Sequence, residues 1–432
     1  METQHPHNQR RYRICKLRAG DSMMGYHKQR IINCTALFLT ALLAHPMSLG
    51  AERARDLGIP FSGQPGPLNS ITDVEGVTVG HVTLISGDGA LRRGEGPIRT
   101  GVTVIHPRGR ASTDGVFAGW FTLNASGEMT GTTWLQERGI VDGPIAITNT
   151  HSVGVVRDSL VAWMVDRGWP ADWHAPVVAE TYDGALSDID GQHITEAHVF
   201  EALNGATVGP VAEGSLGGGT GMICNGFKGG IGTASRVFTL GDQSFTLGAL
   251  VQCNYNWDGD ELRLGGQRVA EQLPVGRHCH VDRKITRSKN WYPYCDEWNA
   301  ARAPRTRDGS IIVILATDAP LLPHQLTRLA KRPSLALGRL GATSTDGSGD
   351  IFLAFSTSQR GKLSESEFQD VTMFPNYALT IAFKAAIEAT EEAIVNAMSG
   401  ADTMIGVDGF KVEALPHNEV KALFKSTEAS GF

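Results

Sequence analysis

Cysteine is scarce in this sequence, at 6 of 432 residues, and neither a paired CxxC nor an HExxH is present, so the familiar zinc frameworks have no basis and no metal or other cofactor is expected. Charge is sparse as well: Lys and Arg number 39 against 45 Asp and Glu, a net −6, with no basic run longer than a few residues. Neutralisation of a phosphate backbone therefore has no footprint, and no nucleic-acid partner is expected. Long apolar runs are missing and the mean hydropathy is −0.13, which argues against a polytopic membrane protein and against a membrane partner. No repeat of solenoid period occurs. Glycine, in contrast, is plentiful at 51 residues, which means tight turns and close backbone approaches. With 41% hydrophobic and 19% charged residues the chain can bury one large core or two ordinary ones.

The N-terminus has the layout of a secretory leader. Residues 10–30 are basic and polar, Ile31 to Ala44 are mostly apolar with a break at Asn33, Cys34 and Thr35, and Ser48-Leu49-Gly50-Ala51 offers small residues ahead of Glu52-Arg53. This predicts a signal peptide over residues 1–51 and a periplasmic protein. The alternatives are a buried helix or an uncleaved anchor, and a cytoplasmic protein if the segment is no leader; Met23 or Met24 is a second candidate start. Loss of the leader leaves Cys224, Cys253, Cys279 and Cys295. A Cys279–Cys295 disulfide would close a loop whose constraint adds about 3 kcal/mol. The rival reading is a metal site built on His278-Cys279-His280.

Strand-like runs occur at Val77 to Ile85, Gly101 to His106, Pro144 to Thr148, Pro176 to Ala179, Phe245 to Gln252, Ser310 to Ala316 and Ile351 to Ser356. Helical patterns fall at Val155 to Arg167, Glu261 to Leu273, His324 to Leu340 with a break at Pro333, and Asn376 to Met398. The class is α/β or α+β in layers, without a domain linker. Gly217-Gly218-Gly219-Thr220-Gly221 lacks the GK[ST] of a phosphate loop and reads as close backbone packing.

One junction carries chemistry. At Asp308-Gly309-Ser310 a flexible glycine precedes a serine that opens the apolar run Ile311-Ile312-Val313-Ile314-Leu315. Serine is a weak nucleophile without a base beside it, and a cut at Gly309–Ser310 would supply one, the freed α-amine, whose pKa of about 7.7–8.0 suits a general base. Taken alone, Gly-Ser is an ordinary strand entry.

The surrounding text resembles a known family. Ser310 with Ala316-Thr317-Asp318-Ala319-Pro320, Glu128-Met129-Thr130-Gly131-Thr132, Ile147 to Gly154, Glu180-Thr181-Tyr182-Asp183-Gly184, and Gly218 to Met222 followed by Phe227 to Arg236 are similar to blocks of the DmpA and β-peptidyl aminopeptidase family, the self-processing serine aminopeptidases of peptidase family S58. The similarity runs from about Thr72 to Ala397. It implies a four-layer αββα sandwich like that of the N-terminal-nucleophile hydrolases, with residues 52–309 and 310–432 as the larger and smaller chains of one catalytic domain. It implies that these chains pair as heterodimers, which associate as a homotetramer.

The resemblance also assigns roles. Ser310 matches the nucleophile released by cleavage after Gly309, and Asn254 the oxyanion-hole amide. Tyr182 matches a tyrosine beside the nucleophile, while Ser348 and Asp350 match a serine and a carboxylate contacting it; some relatives have glutamate where Asp350 stands. Singly, Tyr182-Asp183-Gly184 and Ser348-Gly349-Asp350 read as turns and Asn254 as a strand end. A free substrate amine calls for a carboxylate, and Glu137, Glu180 and Glu128 are the candidates. Short peptides, amino-acid amides or esters are the expected substrates. An acyltransferase similar to the ornithine acetyltransferases, and a non-catalytic periplasmic peptide-binding protein, are the alternatives. Residues 277–300 look like an insertion relative to the family.

Overall fold

The computed structural model describes residues 52–288, 292–298, 309–359 and 368–429, so the leader expected at residues 1–51 lies outside the described residues. The main strands are β1 Thr78–Ser86, β2 Ile98–His106, β3 Val116–Ala125, β4 Ile140–Val141, β5 Ile145–Asn149, β6 Val177–Thr181, β7 Gly230–Leu240, β8 Gln243–Asn254, β9 Ser310–Thr317 and β10 Gly349–Ser356. The helices that cover them are α1 Thr132–Arg138, α2 Val153–Asp166, α3 Glu196–Gly205, α4 Pro323–Ala330, α5 Pro333–Arg339 and α6 Leu379–Ser399. A four-stranded sheet runs β1-β2-β5-β6 and a six-stranded sheet runs β4-β3-β10-β9-β8-β7.

The period-2 alternation of strands sorts the apolar residues into three layers of core. On β9, Ile312, Ile314 and Ala316 join Ile105, Ile145, Ile147, Val177 and Ala179 of the other sheet between the two sheets. The intervening Ile311, Val313 and Leu315 turn the other way, onto α4, α5 and α6. Val102, Val104, Ala146 and Val178 face out of the four-stranded sheet onto α2 and α3. The result is the four-layer αββα sandwich that the resemblance implies. Because β9 is covered on both faces, it reads in sequence as an unbroken apolar run rather than an alternating one.

Two strands escape the periodicity for a physical reason. In β7 the helix α6 lies directly on the backbone: a Cβ on Gly232 would come within 2.0 Å of the Ala393 carbonyl oxygen. The buried part of the strand therefore mixes Gly230, Gly232, Thr233, Ser235 and Arg236, which pairs with Glu392 at 2.7 Å, among Ile231, Ala234 and Phe238, and its pattern is not a continuous apolar run. The broken burial pattern of β3 hides it similarly. Conversely, the helix expected at Glu261 to Leu273 is absent. Gly265 and Gly266 both have positive φ, 54° and 82°, and they turn Arg263–Leu264 back onto Gln267–Arg268 as a hairpin. The break at Pro333 is present, separating α4 from α5.

The described part of the 277–300 stretch is stitched to the rest of the domain. Cys279–His280 pairs antiparallel with the strand Phe410–Val412, and Cys279 is bonded to Cys295. The rival metal reading of His278-Cys279-His280 fails on this geometry. The Cys279 thiol is consumed by the disulfide, while His278 donates from Nε2 to the Trp257 carbonyl at 2.9 Å and His280 from Nδ1 to the Asp408 carbonyl at 3.0 Å. Cys224 and Cys253 form a second disulfide, which the sequence reading did not pair.

Candidate active site

Ser310 is the first residue of β9, a strand of the larger sheet buried along its whole length, and it is itself 5% exposed. The residue before it must be glycine. Gly309 has φ +153°, and a Cβ there would stand 2.2 Å from the Asn254 carbonyl oxygen and 2.7 Å from Tyr255 Cα. The Gly309 carbonyl accepts a hydrogen bond from the Gly349 N–H at 3.1 Å. Gly349, the parallel-ladder partner of Ser310, also lacks a side chain for a reason: its Cβ would stand 2.5 Å from the Ser126 carbonyl oxygen and 3.0 Å from Ser310 Oγ. The hydroxyl lies beside the space a side chain would fill.

On the other side of β9 the antiparallel ladder sets Asn254, the last residue of β8, opposite Ser310. The orientation of the Asn254 amide follows from its neighbours, because a backbone N–H can only donate and a carbonyl can only accept. Oδ1 accepts from the Ile223 N–H at 2.8 Å, and Nδ2 donates to the Tyr182 carbonyl at 2.9 Å. Among the described residues the second Nδ2 hydrogen has no acceptor. The Asn254 carbonyl takes the Trp257 indole N–H at 3.2 Å, which pins the end of the strand.

Ser348 and Asp350 stand on either side of Gly349, the ladder partner of Ser310, and Asp350 is paired with Ile311. Ser348 Oγ donates to Asp350 Oδ1 at 2.7 Å. Burial pushes the Asp350 carboxyl above the ordinary carboxylate range, opposed by hydrogen bonds from Ser348, Ser344 and the Ile311 backbone. The ring of Tyr182 packs against Gly184, where a Cβ would meet the phenol oxygen at 2.5 Å.

Above the serine lies a cavity of about 770 Å³, lined by Ser126, Gly127, Glu128, Thr150, Glu180, Tyr182, Trp257, Gly309, Ser310 and Gly347. Among its carboxylates Glu180 is the buried one. Its Oε1 accepts the Glu128 backbone N–H at 2.9 Å and its Oε2 the Thr150 hydroxyl. Burial raises its pKa, against the lowering effect of those two hydrogen bonds. The Glu128 side chain is exposed at the rim. Glu137 is not part of the site: α1 buries Leu135 and turns Glu137 to solvent, outside the cavity lining.

The structure thus brings Ser310, Gly309, Tyr182, Glu180 and Glu128 to one cavity and sets Asn254 opposite Ser310; Ser348 and Asp350 stand beside Gly349, bonded to each other, and Glu137 is left out. It adds Thr150, which holds Glu180, and Trp257, which caps Asn254. Thr150 stands in the Ile147 to Gly154 block, so a signal for it was present; Trp257 had none. The glycine run also behaves as read, since a Cβ on Gly218 would lie 2.2 Å from Gln252 Oε1 and 2.6 Å from the Ile147 carbonyl oxygen.

Known proteins bear on this site. The profile of peptidase family S58 matches residues 69–412. The chain is 52% identical over 394 residues to the beta-peptidyl aminopeptidase BapA of Sphingosinicella microcystinivorans, covering 90% of this chain and 96% of that protein. A beta-aminopeptidase of a Burkholderia species superposes with a TM-score of 0.73 at 45% identity, covering 88% of this chain and 99% of that one. The L-aminopeptidase D-Ala-esterase/amidase of Ochrobactrum anthropi, described as a prototype serine aminopeptidase and a variant of the Ntn hydrolase fold, superposes with a TM-score of 0.76 at 44% identity, covering 87% and 99%. On the profile match and these identities together, the chain belongs to peptidase family S58.

Proposed function

We propose that this peptidase cuts itself at Gly309–Ser310 and then works as an N-terminal-nucleophile serine aminopeptidase on short peptides, amides or esters with a free amine, among them peptides that begin with a β-amino acid. The observation that carries the reading is the constellation at the start of β9, with the serine hydroxyl against Gly349, Asn254 across the ladder and the Gly309 carbonyl in a hydrogen bond. The β-peptide element rests on the 52%-identical BapA, and the peptidase family favours hydrolysis over acyl transfer or passive binding.

In the first stage Ser310 Oγ attacks the Gly309 carbonyl carbon, whose oxygen is polarised by the Gly349 N–H, and the peptide bond becomes an ester that water hydrolyses. Ser310 then carries a free α-amine that removes the proton from its own hydroxyl. In the second stage the hydroxyl attacks the substrate carbonyl, the amine returns the proton to the leaving group, and water resolves the acyl-enzyme. The second N–H of Asn254 stabilises the oxyanion, a role whose removal costs roughly 2.7–4 kcal/mol in sites of this kind. Glu180 holds the substrate ammonium, and a blocked amine leaves that carboxylate buried without a counter-charge. Both pieces remain in one core, because β8 of the larger piece pairs along its length with β9 of the smaller. Two bonded disulfides fit an oxidising compartment and support export. The test is to count the chains in purified protein and to assay aminoacyl p-nitroanilides with free and acetylated amines.

A further inference from the structure

Lys228 has no part in the chemistry above, yet it is fully buried. Its Nζ donates to two backbone carbonyls, those of Met222 and Gly229, each at 2.8 Å. Burial alone lowers its pKa, to about 7. A long cationic side chain taken out of water to meet main-chain oxygens is an expensive arrangement, and a merely structural hairpin does not need it.

The carbonyl it grips belongs to a particular peptide unit. The Met222 C=O and the Ile223 N–H are the two ends of one amide plane, and that N–H is the donor that holds Asn254 Oδ1 at 2.8 Å. Lys228 is also the pairing partner of Ile223 in the hairpin Ile223–Cys224 to Phe227–Lys228. The disulfide from Cys224 to Cys253 ties the same hairpin to the residue preceding Asn254. A hydrogen-bonded chain therefore runs from the ammonium through the Met222–Ile223 peptide to Oδ1 of Asn254, and through the side-chain amide to Nδ2. When Lys228 is protonated, charge at one end of such a chain polarises each bond in turn and makes the last N–H a stronger donor.

We propose that Lys228 is a positioning residue for oxyanion stabilisation, fixing and polarising the Asn254 amide through the Met222–Ile223 peptide. This rests on the reading of Asn254 as the oxyanion donor. The test compares Lys228→Met, Lys228→Gln, Asn254→Ala and the Lys228→Met/Asn254→Ala double variant, with kcat and KM for an aminoacyl p-nitroanilide expressed per processed Ser310 N-terminus and the thermal midpoint recorded for each. Lys228→Met is expected to lower kcat by about tenfold to a hundredfold, the scale of a lost charge-assisted hydrogen bond, with KM nearly unchanged. Lys228→Gln, which keeps an N–H donor without the charge, falls between and serves if the Met variant does not fold. In the Asn254→Ala background the lysine change has little further effect. Wild-type kcat in folded Lys228→Met or Lys228→Gln beside a crippled Asn254→Ala overturns the inference alone, as do effects that multiply in the double variant. Wild-type kcat in Asn254→Ala overturns the reading of Asn254 and this inference with it.

Discussion

Asn254 and Ser310 are opposite one another in the antiparallel ladder that joins β8 to β9. The register that aligns Leu250 with Ile314 and Val251 with Val313 in the core is therefore the same register that brings the amide to the hydroxyl. Folding of the apolar strands and assembly of the site are one event. Replacement of Asn254 by Ala is expected to lower kcat by about a hundredfold to a thousandfold, as for the loss of one oxyanion donor, and to lower the thermal midpoint, because the Ile223 N–H and the Tyr182 carbonyl lose their buried partner. Steady-state kinetics on processed protein checks this.

Glu180 is expected to act on recognition of the amine. Glu180→Gln should reduce kcat/KM for free-amine substrates by about tenfold to a hundredfold, and narrow the discrimination against acetylated ones. Its raised pKa gives the pH dependence a sign: as pH falls through that pKa the carboxylate takes up a proton and the pairing with ammonium is lost, so KM rises on the acid side. The acid-side rise in KM should be missing from the Gln variant, which a pH series of KM in both proteins would show.

Asp183, beside the carbonyl that receives Asn254 Nδ2, is fully buried, and that burial raises its pKa to about 7 against the opposing hydrogen bonds from Thr100 and Asn149. Folding therefore takes up a proton at pH values between the ordinary 3.8 and about 7. Stability from this group is fully present below pH 3.8 and falls as pH rises to about 7, with a slope of at most about 1.4 kcal/mol per pH unit. Asp183→Asn copies the protonated form and removes that fall. Chemical denaturation should find the variant more stable than wild type at pH 8, with the difference shrinking towards pH 4.

Glu392 on α6 receives Arg236 at 2.7 Å and Arg55 at 2.7 Å, and is 1% exposed. Both arginines belong to the larger proposed piece and the glutamate to the smaller. Glu392→Ala leaves the buried Arg236 with Glu388, at the longer distance of 4.0 Å, as its carboxylate partner and is expected to destabilise the protein, by at most about 3–5 kcal/mol. A lowered denaturation midpoint, with unchanged kcat for the protein that remains folded, is the outcome to look for.

Much of this fold was legible where burial is simple. Continuous apolar runs such as Ile311 to Leu315 mark strands covered on both faces, and Pro333 marks a helix break. The periodicity failed where backbone meets backbone. Gly232 under α6 makes a buried strand look polar, and Gly265-Gly266 turns what reads as an amphipathic helix into a hairpin. The site was legible through the resemblance of its blocks, since Tyr182, Asn254, Ser310 and Asp350 are scattered along the chain and only the sheet registers bring them together. Glu137 shows the limit: its position on α1 satisfies a search for carboxylates, while the turn of that helix decides that it faces water. The Cys224–Cys253 pair was hidden for the same reason, because which cysteines meet depends on the fold.

The central claim is that Ser310 becomes the nucleophile by freeing its own amine. Intact mass and denaturing electrophoresis of purified wild type beside Ser310→Ala test it directly. The account predicts two fragments from the wild type, the smaller beginning at Ser310, and one uncut, inactive chain from the variant. A folded wild-type chain that stays whole after incubation, or a Ser310→Ala protein that is cut and active, would contradict it.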